Sequence, residues 1–290
     1  LLILNKKGPE KVSPGKESRS AFPGCGFDPR RLHQNNIRNR SGNSSYEKTD
    51  FHTNNLRKDN TMQDLGRYND DSLDTRNPAP RCPVILLLDT SSSMEGAPIN
   101  ELNKGLRQFL KETADDEAAS RSVELEVISF NTVADVALPF TPVCDVDQNV
   151  TPLVAEGSTV LGAAIRRATK DLNRRRHLYQ RMGISAYKPW VILMTDGAPN
   201  DDWEQASLAL RSLGEKGEIQ YIGLEIGEFA SHSTMCRILP PHPGPLKLNG
   251  LRFKEFFRWL TDSLRSVSSS AVSDQENVTF GSYRSWGSLP

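Results

Sequence analysis

Two aspartates and a short series of hydroxyls are the residues whose types and spacing could do chemistry. They are Asp89-Thr90-Ser91-Ser92-Ser93, Thr159 after Gly157-Ser158, and Asp196-Gly197. Asp89 and Asp196 follow two apolar runs, Val84 to Leu88 and Trp190 to Met194. Runs of that kind read as strands buried on both faces. In a doubly wound sheet, ligands bind outside the carboxyl ends of the strands, so if these two strands are neighbours both acids meet in one crevice. An extended turn points Ser91 and Ser93 the same way, and Thr159 adds a hydroxyl from another loop. Two carboxylates with neutral hydroxyls make an all-oxygen set, suited to Mg²⁺ or Mn²⁺ and offering nothing to zinc or copper. With hydroxyls innermost and the acids holding waters, the protein supplies little direct charge. An octahedral Mg²⁺, with ligands at ~2.0–2.1 Å, would then accept a carboxylate from another molecule in an open position.

The elements that must position these groups alternate along the chain. Ile99, Leu102, Leu106, Phe109 and Leu110 make one helical face. Val123 to Phe130 alternates as a strand, and Thr132 to Phe140 follows closely enough to pair with it as an antiparallel hairpin, with prolines that suit an edge. Leu161, Ala164, Ile165, Ala168 and Leu172 form a second helical stripe. Asp201 to Lys216 reads as a helix, Ile219 to Ile226 as a strand, Leu246 and Leu248 as a short last strand, and Leu251 to Val267 as a closing helix. This is an α/β domain, doubly wound, with a mostly parallel six-stranded sheet, one antiparallel edge strand and helices on both faces. Three regions are expected: a disordered polar arm over 1–80, the folded domain over 81–268, and a flexible Ser-rich tail over 269–290.

Composition narrows the partner. Lys plus Arg and Asp plus Glu are both 36, so no net field favours nucleic acid or a membrane surface. The four cysteines, Cys25, Cys82, Cys144 and Cys236, are far apart with no CxxC spacing, which fits a reducing cytoplasm better than a disulfide scaffold. No apolar run approaches the roughly 20 residues of a spanning helix. The opening Leu1-Leu2-Ile3-Leu4 is too short for a signal peptide.

Together Asp89-x-Ser91-x-Ser93, Thr159 and Asp196-Gly197 resemble the metal-ion-dependent adhesion site of von Willebrand factor A (VWA) domains. The resemblance runs over about 81–268. Leu86-Leu87-Leu88-Asp89-Thr90-Ser91, Gly157-Ser158-Thr159, Leu161-Gly162-Ala163-Ala164, Thr195-Asp196-Gly197 and the last helix are similar to the bacterial tellurite-resistance (TerY-like) branch. It implies strand order 3-2-1-4-5-6, direct coordination by Ser91 and Ser93, Thr159 direct or through water, and Asp89 and Asp196 largely through water. It also implies a scaffold in a chemical-stress or signalling complex, whose metal accepts an acidic side chain from a protein partner. Glu95, Ser158 and Gly197 would form the rim, with a solvated charge as the equal alternative for Glu95. Two features depart from the resemblance: Ser92 stands where many members have Gly, and residues 269–290 hold no cysteine-rich segment.

Other readings compete. A lone Asp-x-Ser-x-Ser carries little, because Asp and Ser favour turns and caps. Asp201 and Asp202 read as an N-cap and first-turn acids of their own helix. Arg174-Arg175-Arg176-His177 reads as a solvated basic run at a helix end. His232, Cys236 and His242 suggest a weak soft-metal cluster. A Mg²⁺-dependent phosphotransfer enzyme would need a second acid two residues after Asp89, where Ser91 stands, and no P-loop or nucleophile elbow appears. An adaptor for an AAA-type ATPase keeps the same metal site and remains the alternative to a scaffold. A non-enzymatic role is expected.

Overall fold

The computed structural model describes residues 73, 75–148, 150–228, 230–242 and 244–289. Most of the polar arm, including the disorder expected there, therefore lies outside the described residues. The strands are Cys82–Asp89 (β1), Val123–Phe130 (β2), Ala134–Pro142 (β3), Trp190–Thr195 (β4), Gln220–Glu225 (β5), Leu246–Leu248 (β6) and Gly287–Ser288 (β7). The helices are Ala97–Ala114 (α1), Glu117–Ser122 (α2), Leu161–Met182 (α3), Glu204–Glu215 (α4), His232–Ile238 (α5) and Phe253–Ser268 (α6).

The sheet order is β3-β2-β1-β4-β5-β6-β7. β2, β1, β4, β5 and β6 run parallel, while β3 and β7 are antiparallel edges. Every residue of β1 and β4 is buried, because helices cover both faces. Val84, Leu86 and Leu88 pack with α1 and α6, through Leu102, Phe109, Phe256 and Leu260. Ile85 and Leu87 face α3, α4 and α5, through Leu161, Ile165, Leu210 and Ile238. Each such side chain contributes about 2 kcal/mol by leaving water. Parallel pairing sets Leu86 opposite Ile192 and Leu88 opposite Met194, so both central strands end at one edge. That register places Asp89 and Asp196 together.

The first six strands follow the expected order, but there is a seventh strand, and it comes from the segment read as a flexible tail. After α6 the chain makes two 3-10 turns and returns along β6. Trp286 is fully buried, its ring 5.0 Å from that of Phe256 and 5.2 Å from that of Trp259. Aromatics too sparse to show a period still bury their area once α6 presents a matching aromatic face.

The basic run is also different from its sequence reading. α3 continues to Met182, and Arg175 is buried rather than solvated. Its Nε donates to Glu124 Oε2 at 2.7 Å; Tyr179 donates to the same oxygen, and Arg81 Nε lies 3.1 Å from Glu124 Oε1. A buried carboxylate in β2 thus has cationic partners from two other segments, as a buried charge requires.

Candidate metal centre

The crevice is built where β1 and β4 end. Asp89 Oδ1 accepts the backbone N–H of Ser91 at 2.9 Å, and Asp89 Oδ2 accepts the Thr195 hydroxyl at 2.5 Å. Ser91 has extended backbone, but Ser92–Met94 is a 3-10 turn. The two serine hydroxyls therefore meet through a turn and not through strand-like alternation, with Ser91 Oγ and Ser93 Oγ 3.0 Å apart. Ser93 Oγ donates to Asp196 Oδ1 at 2.7 Å. Thr159 is buried across Gly197 from these groups: a Cβ on Gly197 would stand 3.5 Å from Thr159 Oγ1 and 3.9 Å from Ser93 Oγ. All five candidate ligands thus converge from three loops.

The loops are tied to one another by backbone and side chain. Ser92 donates both its N–H (3.1 Å) and its hydroxyl (3.0 Å) to Gly157 O. Glu156 N–H donates to Thr90 O at 2.9 Å, and Val160 N–H to Asn131 O at 2.9 Å. Gly157 has φ +71°, and a Cβ there would lie 2.1 Å from Thr132 Oγ1, so only glycine fits. Ser158 is half-buried and donates its N–H to that hydroxyl at 3.2 Å. Glu95 is exposed just past the turn.

The supporting roles of three residues go beyond the sequence reading. Thr195 anchors Asp89, as above. Asn200 Oδ1 accepts the N–H of Thr159 at 2.5 Å while Asn200 N–H donates back to Thr159 O at 3.0 Å. Asp201 caps a helix, but not its own. Its two oxygens accept the N–H groups of Gly162 and Ala163, each at 2.8 Å, at the start of α3, whereas α4 begins later, at Glu204, with no side-chain cap. The close approach needs Gly162, whose Cβ would fall 2.4 Å from Asp202 O. The only hint was a Pro-Asn-Asp-Asp cluster of turn formers, which does not say which helix is capped.

Electrostatically the crevice is short of positive charge. Burial raises both carboxyls above their usual range; for Asp89 the hydrogen bonds from Ser91 and Thr195 oppose this and the nearby Asp196 charge adds to it, and for Asp196 the bond from Ser93 opposes it. Among the described residues no Lys, Arg or His pairs with either. An all-oxygen donor set holding two acids and three hydroxyls, with no built-in counter-charge, fits a hard divalent cation. His232, Cys236 and His242 do not gather as a soft-metal site: among the described residues no three His, Cys, Asp or Glu side chains are placed to share an ion.

The model of the von Willebrand factor type A domain matches residues 84–232, just over half of the chain. The chain belongs to the VWA domain family. No curated protein sequence matches it. Among solved structures, a von Willebrand factor type A protein from Catenulispora acidiphila is 17% identical with a TM-score of 0.51, over 64% of this chain and 43% of that one. The pilus adhesin SpaC from Lactobacillus rhamnosus GG, in its open conformation, is 14% identical with a TM-score of 0.51, over 64% of this chain and 30% of that one. These likenesses show the fold alone, and the chain spans less than half the length of either structure. VWA domains are in general interaction modules. In this one, β1 and β4 carry the Asp-x-Ser-x-Ser and Asp-Gly segments to one edge, and the family match ends before β6, α6 and β7, which complete the sheet and its aromatic cover. Among the described residues no helix is long and apolar enough to cross a membrane.

Proposed function

We propose that this VWA domain binds Mg²⁺ or Mn²⁺ through Ser91, Ser93 and Thr159, with Asp89 and Asp196 holding its waters, and docks a protein partner through an acidic side chain. The observation that carries this is the meeting of two buried carboxylates with three hydroxyls at the carboxyl edge of the sheet, with no cationic side chain among the described residues to pair them. A bound ion would supply the missing positive charge and an electrophilic position for an external carboxylate. The chain's own residues set the geometry. Thr195 and the Ser91 N–H orient Asp89, Asn200 fixes the loop of Thr159, and Gly197 leaves the approach open. The carboxylate that faces Ser93 is Asp196, and holding the ion's waters would occupy it, which supports a docking role over an enzymatic one.

On the resemblance of its strand and loop segments to the tellurite-resistance branch, the module would serve a cytoplasmic scaffold in a chemical-stress or signalling complex. Calorimetric titration of Mg²⁺ and Mn²⁺ into the metal-free chain is expected to show one site, lost in Ser91→Ala/Ser93→Ala. Peptides selected from a random display library on the Mg²⁺-loaded chain are expected to carry an Asp or Glu that cannot be replaced by Asn or Gln, and to be released by EDTA. Selection of peptides indifferent to EDTA would reject the ion bridge.

A further inference from the structure

His232 and Cys236 are four residues apart on α5, so their side chains share one helix face. Cys236 Sγ lies 3.3 Å from His232 Nε2, and His232 Nδ1 lies 2.7 Å from Glu225 Oε1 at the end of β5. Glu225 is buried, while His232 and Cys236 are exposed. A thiol faces one ring nitrogen and a buried carboxylate holds the other, the order in which a nucleophile, its base and an orienting acid act together. With Nδ1–H donated to Glu225, the Nε2 lone pair points at the thiol. Because Glu225 and Cys236 occupy opposite nitrogens of the ring, they cannot meet at one metal ion.

The frame is held from outside. Arg211 of α4 donates from Nη1 to the carbonyls of Cys236 (3.3 Å) and Arg237 (2.7 Å). The Arg237 guanidinium lies 4.9 Å from the centre of the Trp203 ring and 2.5 Å from Glu204. α5 is thereby fastened to α4 while its Cys-His face stays open.

We propose that Cys236 is a nucleophilic thiol that exchanges with small disulfides, with His232 as its base and Glu225 as the residue positioning the imidazole. In the exchange, Cys236 Sγ attacks one sulfur of the disulfide as His232 Nε2 accepts the thiol proton. The new sulfur–sulfur bond forms, the old one breaks, and the departing sulfur takes the electron pair and then the proton from His232. The products are a mixed disulfide on Cys236 and one free thiol, so the disulfide is the only oxidant required. A second thiol reverses the step, which makes Cys236 a reversible modification site.

The chain carries its own comparisons. Cys144 is also exposed, but the partial desolvation of its sulfur and the Asp145 carboxylate 3.7 Å away raise its thiol pKa. Cys82 is fully buried, its thiol pushed up to about 12. The test treats the full chain with bis(2-hydroxyethyl) disulfide, an uncharged reagent that surface charge does not steer, and follows each cysteine by peptide mass mapping. Cys236 is expected to react about tenfold or more faster than Cys144. In His232→Asn its rate should fall to that of Cys144, whose own rate stays constant and reports the intact fold. Glu225→Gln should lower Cys236 selectively by a smaller factor. Equal rates for Cys236 and Cys144 in the native chain, or a Cys236 rate untouched by His232→Asn, would overturn the proposal.

Discussion

Ser93 Oγ donates a hydrogen bond of 2.7 Å to Asp196 Oδ1 across 103 residues of sequence. Serine and carboxylate come from loops after different strands, and β1 and β4 bring them together only by pairing in parallel. This bond partly offsets the burial of Asp196; in the proposed metal-bound state the same two groups would become ligands of the ion or hold its waters.

Replacing Asp196 by Asn separates these two roles. It removes one of two neighbouring buried carboxylates, so the metal-free domain is expected to match or exceed the native one in stability by about 0.5–1 kcal/mol. The native chain should gain about 2.7 kcal/mol when Mg²⁺ is at 100 times its dissociation constant, and the variant should gain almost none. Thermal melts with and without Mg²⁺ measure both effects. A variant that still melts higher in Mg²⁺ would remove Asp196 from the site.

Asp201 supports the site indirectly, through the first turn of α3. Asp201→Ala leaves the N–H groups of Gly162 and Ala163 without their acceptor, at a cost of about 1–2 kcal/mol. Because α3 begins two residues after Thr159, weaker metal binding should accompany the loss. Asp202→Ala, with no such bond, is the comparison; equal destabilisation by the two would argue against the inter-helix cap.

Trp286 tests whether the segment after Ser268 belongs to the domain. Trp286→Ala should cost about 3–5 kcal/mol, as for a fully buried aromatic. Its Nε1 has no hydrogen-bond partner among the described residues, so Trp286→Phe, which drops that buried donor, should cost less than about 1.5 kcal/mol. Urea unfolding distinguishes these values, and a Trp286→Ala chain as stable as the native one would return this segment to the status of a tail.

Glu126 gives the fold a pH dependence. It is buried in β2, and burial first, then the neighbouring Asp171 charge, raises its carboxyl to about 8. The folded state therefore prefers the protonated acid. This stability is complete below the ordinary carboxylate range and is lost as pH rises through about 8. Glu126→Gln, which keeps the shape without the proton, should unfold like the native chain near pH 4.5 and be more stable by about 1–3 kcal/mol above pH 8. Parallel stability curves for the two across that window would contradict the assignment.

Much of this was legible in the residues themselves. The apolar runs before Asp89 and Asp196, the helical stripe of Leu161 to Leu172 and the hydroxyl spacing at Ser91 and Ser93 report local periods and turn chemistry, which depend on neighbours in sequence. They determined the α/β class, the order of the first six strands through the family resemblance, and the loops that hold the candidate ligands. Tertiary structure decided the pairings between segments distant in sequence. Val123 to Phe130 reads only as an alternating strand, and the partners of its Glu124 and Glu126 came with α3, which brings Arg175 and Asp171 to them. Asp201 looked like a cap for its own helix until the β4 loop met the start of α3. Trp286 had no period to declare it core, and Glu225, His232 and Cys236 form a line only because α5 docks beside the end of β5. A periodic pattern tells which face of an element is apolar; what that face or its polar side meets is determined by the crossovers, and only the assembled sheet contains them.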